Sequence, residues 1–426
     1  MNDLARRVQR TYLILMLGNT LAASFIWGIN TLFLLDAGLS NLQAFAANAF
    51  FTAGMVVFEI PTGVVADTRG RRTSYLLGTL TLAGSTLLYW LLWRLDGAFW
   101  MWAVVSVLLG LGFTFFSGAV EAWLVDALRF AGYEGTLETV MGRGQMVAGA
   151  AMLGGSVIGG AVAQATDLGV PFLMRVGVLV VMFVVAGVVM RDLGFEPERA
   201  AHPLQAVHTV LDASIEHGLR NPPVRWVMLA APFTSGVGIY AFYALQPFLL
   251  ELYGNPKAYT VAGLAAALVA GSQVAGGFAA PHVRGLVRKR TTVLLAAVAL
   301  SSLLLVLLAV FDSFVVALVI CALWSLVSSV QLPVRQAYLN DMIPSQQRAT
   351  VLSFDSLMGS AGGVAIQPAL GRAADAQGYG ASLAIGGVVQ LLALPCLVAS
   401  RRRGAAADVT EQMPAAEPPP PAAPIL

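Results

Sequence analysis

The sequence predicts an all-α polytopic membrane protein, with twelve transmembrane helices in two pseudo-symmetric six-helix bundles. Composition gives the class: 58% of the 426 residues are apolar and 11% are charged, whereas soluble domains carry about 25% charged residues. The mean hydropathy of +0.75 agrees with this class. The number of apolar segments gives the helix count, and a repeat between the two halves gives the two bundles.

Twelve apolar segments reach the length of about 20 residues that a helix needs to cross a bilayer. We number them spans one to twelve. The first six lie near residues 11–35, 44–66, 73–93, 98–128, 142–165 and 170–191. The last six lie near residues 224–250, 258–281, 291–311, 314–339, 349–371 and 379–400.

The segments divide the chain into four parts. Residues 1–191 form the N-terminal bundle and residues 224–403 the C-terminal bundle. The connector, residues 192–223, has apolar residues at helical spacing, which predicts an amphipathic helix on the inner membrane face. The Ala- and Pro-rich tail, residues 404–426, is predicted to be disordered. The apolar positions of the connector are Leu204, Val207, Leu211, Ile215 and Leu219.

The basic residues indicate the orientation. Of the 25 Lys and Arg residues, all but Arg94, Arg175, Lys257 and Arg372 fall on the side that holds the N-terminus. Because Lys and Arg accumulate in cytoplasmic loops, we expect a multi-pass protein of the plasma membrane with both termini in the cytoplasm.

The two halves repeat one another. Span four contains EAWLVD at residues 121–126, and span ten contains QAYLND at residues 336–341, an offset of 215. Span five ends in AQATD at residues 163–167, and span eleven ends in GRAAD at residues 371–375. Two parallel six-helix repeats are therefore predicted.

A charged turn, GVVADTRGRR at residues 63–72, joins spans two and three. We call it the 63–72 motif. Such charge density belongs at a membrane surface, since charges inside hydrocarbon are costly. The spacing Gly-x-x-x-Asp-x-x-Gly-Arg-Arg resembles the signature between helices two and three of the major facilitator superfamily of secondary transporters, although Thr68 stands where that signature has Arg or Lys. A degenerate second copy lies at residues 284–290, without the acid.

The resemblance implies a substrate site between the halves near mid-membrane. It also implies that the 63–72 motif holds the inner ends of the halves together when the cavity faces outward. Asp67 would then dock at the start of span eleven, near Ala349 to Ser353, and Arg71 would pair with Asp126. Alternatively, these charges only hold a turn and satisfy topology. The expected gating residues are Gly63, which permits close helix approach, Asp67, Arg69, Gly70, which permits the tight reversal, Arg71, Arg72 and Asp126.

Ionisable residues inside spans are candidates for proton coupling. Glu121 lies in span four, and Arg335 has a similar depth in span ten. Glu121 either pairs with Arg335 between the halves, or is protonated during transport, or pairs within its own half. Glu59 in span two either has a coupling role or only forms a hydrogen bond with a neighbouring backbone group that Pro61 leaves without its helical partner. The runs around Glu59 and Glu121 resemble a drug-efflux branch of the superfamily.

Small residues in span five overlay an antiporter motif of the superfamily, with Ala151 and Ser156 in place of a Gly and the Pro. They serve either antiport or close packing against span eight. The motif positions are Gly142, Gly155, Ser156, Gly159 and Gly160.

The cavity-lining spans one, four, seven and ten carry aromatic and amide residues rather than charges. Such walls suit amphiphilic organic compounds. The candidate cavity residues are Asn19, Trp27, Asn30, Phe115, Phe116, Tyr240, Tyr243, Gln246, Trp324 and Gln331.

The function predicted is a secondary active transporter that works by alternating access, with protons moving inward and an amphiphilic compound moving outward. Uptake symport or facilitated diffusion of a small organic solute or lipid stays open, and a non-transporting receptor is disfavoured because no large soluble domain is present. We expect no enzyme activity, no cofactor, no metal and no nucleic-acid partner, and a monomer in the bilayer. The four histidines have poor metal-ligand spacing, and no phosphate-binding Gly-rich Lys motif occurs.

Overall fold

The computed structural model describes residues 3–116, 118–195, 197, 212, 215–343 and 348–409. Its spans are helices, several of them broken. Span one consists of Asp3–Trp27 and Asn30–Asp36, which meet at 47°. Span four consists of Phe99–Thr114 and Ala119–Phe130. The other spans of the first half are Asn41–Arg69, Arg71–Arg94, Leu137–Ala165 and Val170–Val189.

The second half repeats this plan. Spans seven to ten are Pro222–Tyr253, Tyr259–Leu286, Arg290–Leu307 and Phe314–Met342. Spans eleven and twelve share the segment Arg348–Gln390, which is interrupted at Gly378 (φ 82°, ψ 168°), and span twelve continues as Ala393–Arg402. A Cβ on Gly386 would lie 3.2 Å from Leu370, so the two arms run back along each other.

The prediction of twelve spans is confirmed. Within the described residues, ten segments are long and apolar enough to cross a membrane, and the bent pair of span one makes an eleventh. The last of these segments covers residues 351–402 and holds both arms around Gly378, which gives the twelfth.

The apolar cores show how the halves are joined. At the end of the molecule that carries the 63–72 motif, each half has a core of its own residues: one core contains Tyr12 and Trp123, and the other contains Met228 and Tyr338. At the opposite end, the cores are shared, since Phe45 packs into the core of the second half and Leu250 into that of the first. We call these the motif end and the closed end.

The connector and the tail lie only partly within the described residues. Most of the connector, including Leu204, Val207 and Leu211, lies outside the described residues, and Ile215–Leu219 forms a short π-helical turn. The tail is ordered further than predicted, because Ala406–Asp408 forms a 3-10 turn with Asp408 2% exposed. The reason is a specific contact of Asp408 with span nine, which composition cannot reveal.

Candidate functional site: a cavity between the halves and its two ends

A cavity of about 500 Å³ lies between the halves. Spans one and two supply Trp27, Phe51, Thr52 and Met55, and the second half supplies the rest of the wall. Aromatic rings, amides and hydroxyls dominate this wall, and Arg335 is its only charged residue among those described. Four of the residues predicted to line the cavity do so: Trp27, Tyr243, Trp324 and Gln331.

The other predicted amides form hydrogen bonds between helices instead of facing this cavity. The Asn19 amide oxygen accepts a bond from the Tyr75 hydroxyl at 2.6 Å, and Asn30 donates to Asn48 at 3.0 Å. Gln246 donates to the Trp27 carbonyl at 2.8 Å and accepts from the Thr31 amide at 3.0 Å. A buried amide needs partners, and the break of span one supplies both partners of Gln246, whereas side chains of neighbouring helices supply those of Asn19 and Asn30.

The predicted aromatic residues Tyr240, Phe115 and Phe116 also belong to packing. Tyr240 is fully buried and bonds Ser382, which corrects its expected position on the wall. Phe115 and Phe116 lie at the break of span four, where Ser74 donates to the Phe115 carbonyl at 2.9 Å and Phe116 packs edge-on against Tyr75.

Arg335 forms a buried ion pair that the sequence analysis missed. Its two terminal nitrogens contact the two oxygens of Asp355, in span eleven, at 2.5 and 2.6 Å. The side chains are 12% and 7% exposed. The expected pair of Arg335 with Glu121 is therefore absent, because an acid of the same half is closer. Asp355 is the single acid of the apolar run 349–371, the same signal that drew attention to Glu121.

The predicted carboxylates of the first half do not line this cavity. Glu121 lies in the first turn of Ala119–Phe130, where the positive end of the helix dipole favours a carboxylate. It also lies within electrostatic range of the Tyr12 hydroxyl of span one. Glu59 is half-buried on span two. Beside it, the Thr62 hydroxyl bonds the carbonyls of Phe58 and Glu59 at 2.8 and 3.2 Å, next to Pro61.

At the closed end, an acid of one half caps a helix of the other. The two oxygens of Asp375, in span eleven, accept bonds from the backbone amides of Asn41 and Leu42, at the start of span two, at 2.9 and 3.0 Å. We call this contact the closed-end clamp. The Tyr379 hydroxyl bonds the Asn41 side chain, and a Cβ on Gly371 would lie 2.9 Å from the Asn41 carbonyl. The halves are thus tightly joined at this end.

At the motif end, the 63–72 motif is bonded within its own half. Arg71 pairs with Asp67, four residues earlier. Arg72 donates to the Gly187 carbonyl at 2.5 Å. Asp192, just after span six, accepts a bond from the Arg72 amide at 2.9 Å. Burial raises the pKa of the Asp192 carboxyl, although that hydrogen bond and the charges of Arg72 and Arg71 act in the opposite direction.

Several expectations for this motif do not describe this conformation. Arg71 contacts Asp67 instead of Asp126, because Asp67 lies within reach across the turn at Gly70, which separates the two helices. A Cβ on Gly63 would meet no atom of the described residues within 4 Å, so none of the helices described approaches closely there. Gly70 has φ 97°, and a Cβ on it would lie 2.2 Å from Asp192. Arg69 is exposed at the end of span two.

The second half has a matching arrangement at residues 289–291. Arg290 pairs with Asp341, at the end of span ten, at 2.6 Å. Asp408 accepts bonds from the amide and the hydroxyl of Thr291 at 2.8 and 2.9 Å, at the start of span nine. Asp192 and Asp408 therefore cap corresponding helices. Neither cap was evident from the sequence, because each carboxylate reaches its partner from beyond span six or twelve.

The small residues of span five pack closely. A Cβ on Gly155 would lie 1.8 Å from the Ser24 hydroxyl, and one on Gly159 would lie 2.0 Å from the Phe25 carbonyl. Gly160 faces Gly263 of span eight, as does the Ser156 carbonyl. A Cβ on Gly142 would meet no atom within 4 Å in the described part of the chain. Close packing against spans one and eight is thus one role of this stripe.

The family model described as the Major Facilitator Superfamily matches residues 12–368. The chain belongs to this superfamily. It is accordingly a secondary transporter and not an enzyme. No group of three His, Cys, Asp or Glu residues suited to a metal occurs in the described part of the chain.

Solved structures of superfamily members share the fold. A mutant form of the nucleoside transporter NupG has a TM-score of 0.77 at 10% identity, over 93% of this chain and 100% of that one. A bacterial homolog of the human lysosomal transporter Spinster, inward-facing and occupied, has a TM-score of 0.72 at 13% identity, over 94% and 98% of the two chains. The POT family transporter PepTSo has a TM-score of 0.72 at 12% identity, over 94% and 99%. No curated protein matches the chain at a significant level.

Proposed function

We propose that this superfamily member is a proton-coupled exporter of amphiphilic organic compounds, and that the conformation described here is open to the cytoplasm. The distribution of basic residues supports a cytoplasmic motif end. The closed-end clamp then seals the outer face, while the separate cores at the motif end leave the halves free to part there.

The observation that carries the proposal is Arg335 on the wall of the inter-half cavity, held in an ion pair by Asp355 behind it. An ion pair this deep in a membrane is energetically unfavourable, so its presence favours a role in transport. Protonation of Asp355 neutralises it and frees the Arg335 guanidinium at the cavity surface. A proton can thereby change the charge that a bound compound meets, which couples the two movements.

The shape and chemistry of the cavity support the substrate class. A volume of about 500 Å³ falls within the range of small-molecule sites. Trp27, Trp324 and Tyr243 supply flat apolar faces, and Gln331 supplies an amide. Alternating access requires the compound to leave when the Asp375 clamp opens and the motif end closes. Asp67 would then leave Arg71 and dock at the start of span eleven.

The test is substrate-induced proton movement in proteoliposomes with an imposed pH gradient, using lipophilic cations, neutral compounds and aromatic anions. We expect at least one class to drive proton flux in the native protein, and Asp355→Asn to abolish that flux. Glu121→Gln and Glu59→Gln are the matched variants for the two carboxylates away from this cavity. If Glu121→Gln alone stops the flux, the coupling site lies in span four and not in the Arg335 pair.

Transport of a compound without proton flux in any of these proteins would contradict the coupling and favour a uniporter. Proton movement in the same direction as the compound would contradict antiport and favour an uptake symporter.

A further inference from the structure

A second pocket lies at the motif end, where span one begins and span six ends. It has a volume of about 420 Å³ and is separate from the inter-half cavity, since the two share no lining residue. Arg72 of the 63–72 motif bonds the Gly187 carbonyl beside it on span six. The pocket therefore lies at the level of the charged turn, where the bundle meets the membrane surface. We call it the one–six pocket.

Three arginines line the one–six pocket, and none of them has an acidic partner among the described residues. Arg7 and Arg10 lie one turn apart at the start of span one, and Arg191 follows span six. All three are exposed. By contrast, Arg6 contacts Asp3 at 3.9 Å and does not line the pocket. Three like charges around one opening repel one another, so the pocket favours an anion.

The backbone holds Arg191 beside the pocket. Its carbonyl accepts a bond from the indole nitrogen of Trp123, a buried residue of span four that also lines the pocket, at 2.7 Å. The acid that follows it, Asp192, accepts a bond from the Arg72 amide at the start of span three. The carboxylate nearest to Arg191 along the chain is therefore engaged on span three and not in the pocket.

The wall of the pocket becomes apolar toward the middle of the membrane. On span one, Ile14 lies one turn beyond Arg10 and is 44% exposed. On span six, Val188 is 72% exposed and ends a row of exposed valines at four-residue spacing, with Val180 and Val184. Residues four apart share one face of a helix, so this row continues the pocket along span six. Charges at the surface and apolar side chains below them match a molecule with an anionic head and hydrocarbon chains.

We propose that the one–six pocket binds an anionic phospholipid, with its phosphate among the three arginines and its acyl chains along the exposed valines of span six. Guanidinium groups form paired hydrogen bonds with phosphate, and basic pockets between transmembrane helices bind anionic head groups. A soluble anion would use the arginines alone, and a zwitterionic lipid would bring a positive charge of its own to them. The inference goes beyond the proposed function, because it depends on neither the substrate nor the direction of transport.

The experiment measures lipid binding to the purified full-length protein in detergent by native mass spectrometry. The probes are dioleoylphosphatidylglycerol and dioleoylphosphatidylcholine, which share their acyl chains, so the ratio of the two affinities reports the head group. We expect the first molecule of phosphatidylglycerol to bind about tenfold or more tightly than phosphatidylcholine. Arg7→Gln, Arg10→Gln and Arg191→Gln should each weaken it about fivefold, and the triple variant should bind the two lipids alike.

The controls remove the same charges from places outside the pocket. Arg6→Gln is matched to the single variants and should keep the full preference for phosphatidylglycerol. Replacement of Arg401, Arg402 and Arg403 by Gln is matched to the triple variant, because these exposed residues end span twelve at the motif end. It should also keep the preference. The unfolding temperature of each variant without added lipid shows whether it is folded.

Equal binding of the two lipids by the native protein would overturn the inference, as would a preference that survives in the triple pocket variant. Loss of the preference in the span-twelve variant would show attraction to net charge and no pocket. Glycerol 3-phosphate separates a lipid from a free phosphate ester: if it displaces phosphatidylglycerol at equal concentration, the occupant is a soluble anion and the proposal is wrong. None of these outcomes alters the proposed exporter, whose test is proton flux.

Discussion

The two halves use corresponding arginines differently at the motif end. In the second half, Arg290 contacts Asp341, which belongs to another span. In the first half, Asp126 occupies the position equivalent to Asp341, yet Arg71 contacts Asp67. The second half has no acid equivalent to Asp67, since Pro281 and His282 stand in that region. A single extra acid therefore diverts the first arginine from its inter-helix partner.

From this difference we infer that the first half can switch its ion pair, whereas the second half is fixed. The ion pair of Arg290 and Asp341 joins span nine to span ten. The cap of Asp408 joins span nine to the segment that follows span twelve. We propose that Arg71 exchanges Asp67 for Asp126 during transport, which would make Asp67 available for another contact. The variants below test this contrast, from the largest expected effect to the smallest.

Removal of the helix cap of each half should give the largest difference between the two halves. Asp408 is 2% exposed and both its oxygens are bonded, so Asp408→Ala should lower the free energy of unfolding by about 2–4 kcal/mol, because it leaves buried donors without a partner. Asp192 is less buried, and Asp192→Ala should lower it by about 1 kcal/mol. The measurement is thermal or denaturant unfolding in detergent. Equal losses would show that the two caps are energetically alike.

The closed-end clamp should control which face is open. Asp375→Asn leaves one acceptor for two amides and removes a negative charge from a helix N-terminus, which costs about 1–2 kcal/mol. The outward-open population should rise about tenfold. Labelling of a cysteine introduced at Thr31, after both native cysteines are replaced, reports this change. Arg372→Gln, near the same end, is the control. Unchanged labelling in Asp375→Asn would contradict the clamp.

Removal of the extra acid should make the first half resemble the second. In Asp67→Asn, Arg71 loses its partner and should turn to Asp126, as Arg290 contacts Asp341. The side chains of Arg71 and Asp67 are partly exposed, so stability should change by less than about 1 kcal/mol. A double-mutant cycle measures the coupling of Arg71 and Asp126 with and without Asp67. Coupling that does not increase in Asp67→Asn would refute the switch.

The smallest effect concerns the pH dependence of the Asp192 cap. Its pKa is raised above the ordinary value of 3.8 by burial, so the folded state favours the neutral carboxyl. Its contribution to stability is therefore present below this value and is lost as the pH rises through the raised pKa. The groups that face it are Arg71, Arg72 and Asp126. Asp192→Asn should unfold at the same temperature as the native protein near pH 4, and at a slightly higher temperature at neutral pH. A native advantage that grows with pH would contradict the raised pKa.

Local sequence determined the fold class. Long apolar runs leave a chain little choice except helices that satisfy their own backbone in lipid, and the repeat of EAWLVD and QAYLND reflects the two bundles. The broken spans were less evident. The breaks at Gly28 and near Gly118 lie inside apolar runs, and the extended order of Ala406–Asp408 depends on a contact 117 residues away.

Only the tertiary structure decided which charges meet. Similar depth in the spans suggested Glu121 as the partner of Arg335, and the resemblance suggested Asp126 as the partner of Arg71. The structure pairs Arg335 with Asp355 and Arg71 with Asp67. Asp375 reaches the start of span two from 334 residues away. Arg175 was expected on the outer side, although its Nε is buried within span six. The local sequence determines which charged residues a span contains and how deep they lie. Which of them pair depends on how the helices rotate and approach one another, and the packing of the whole bundle sets this.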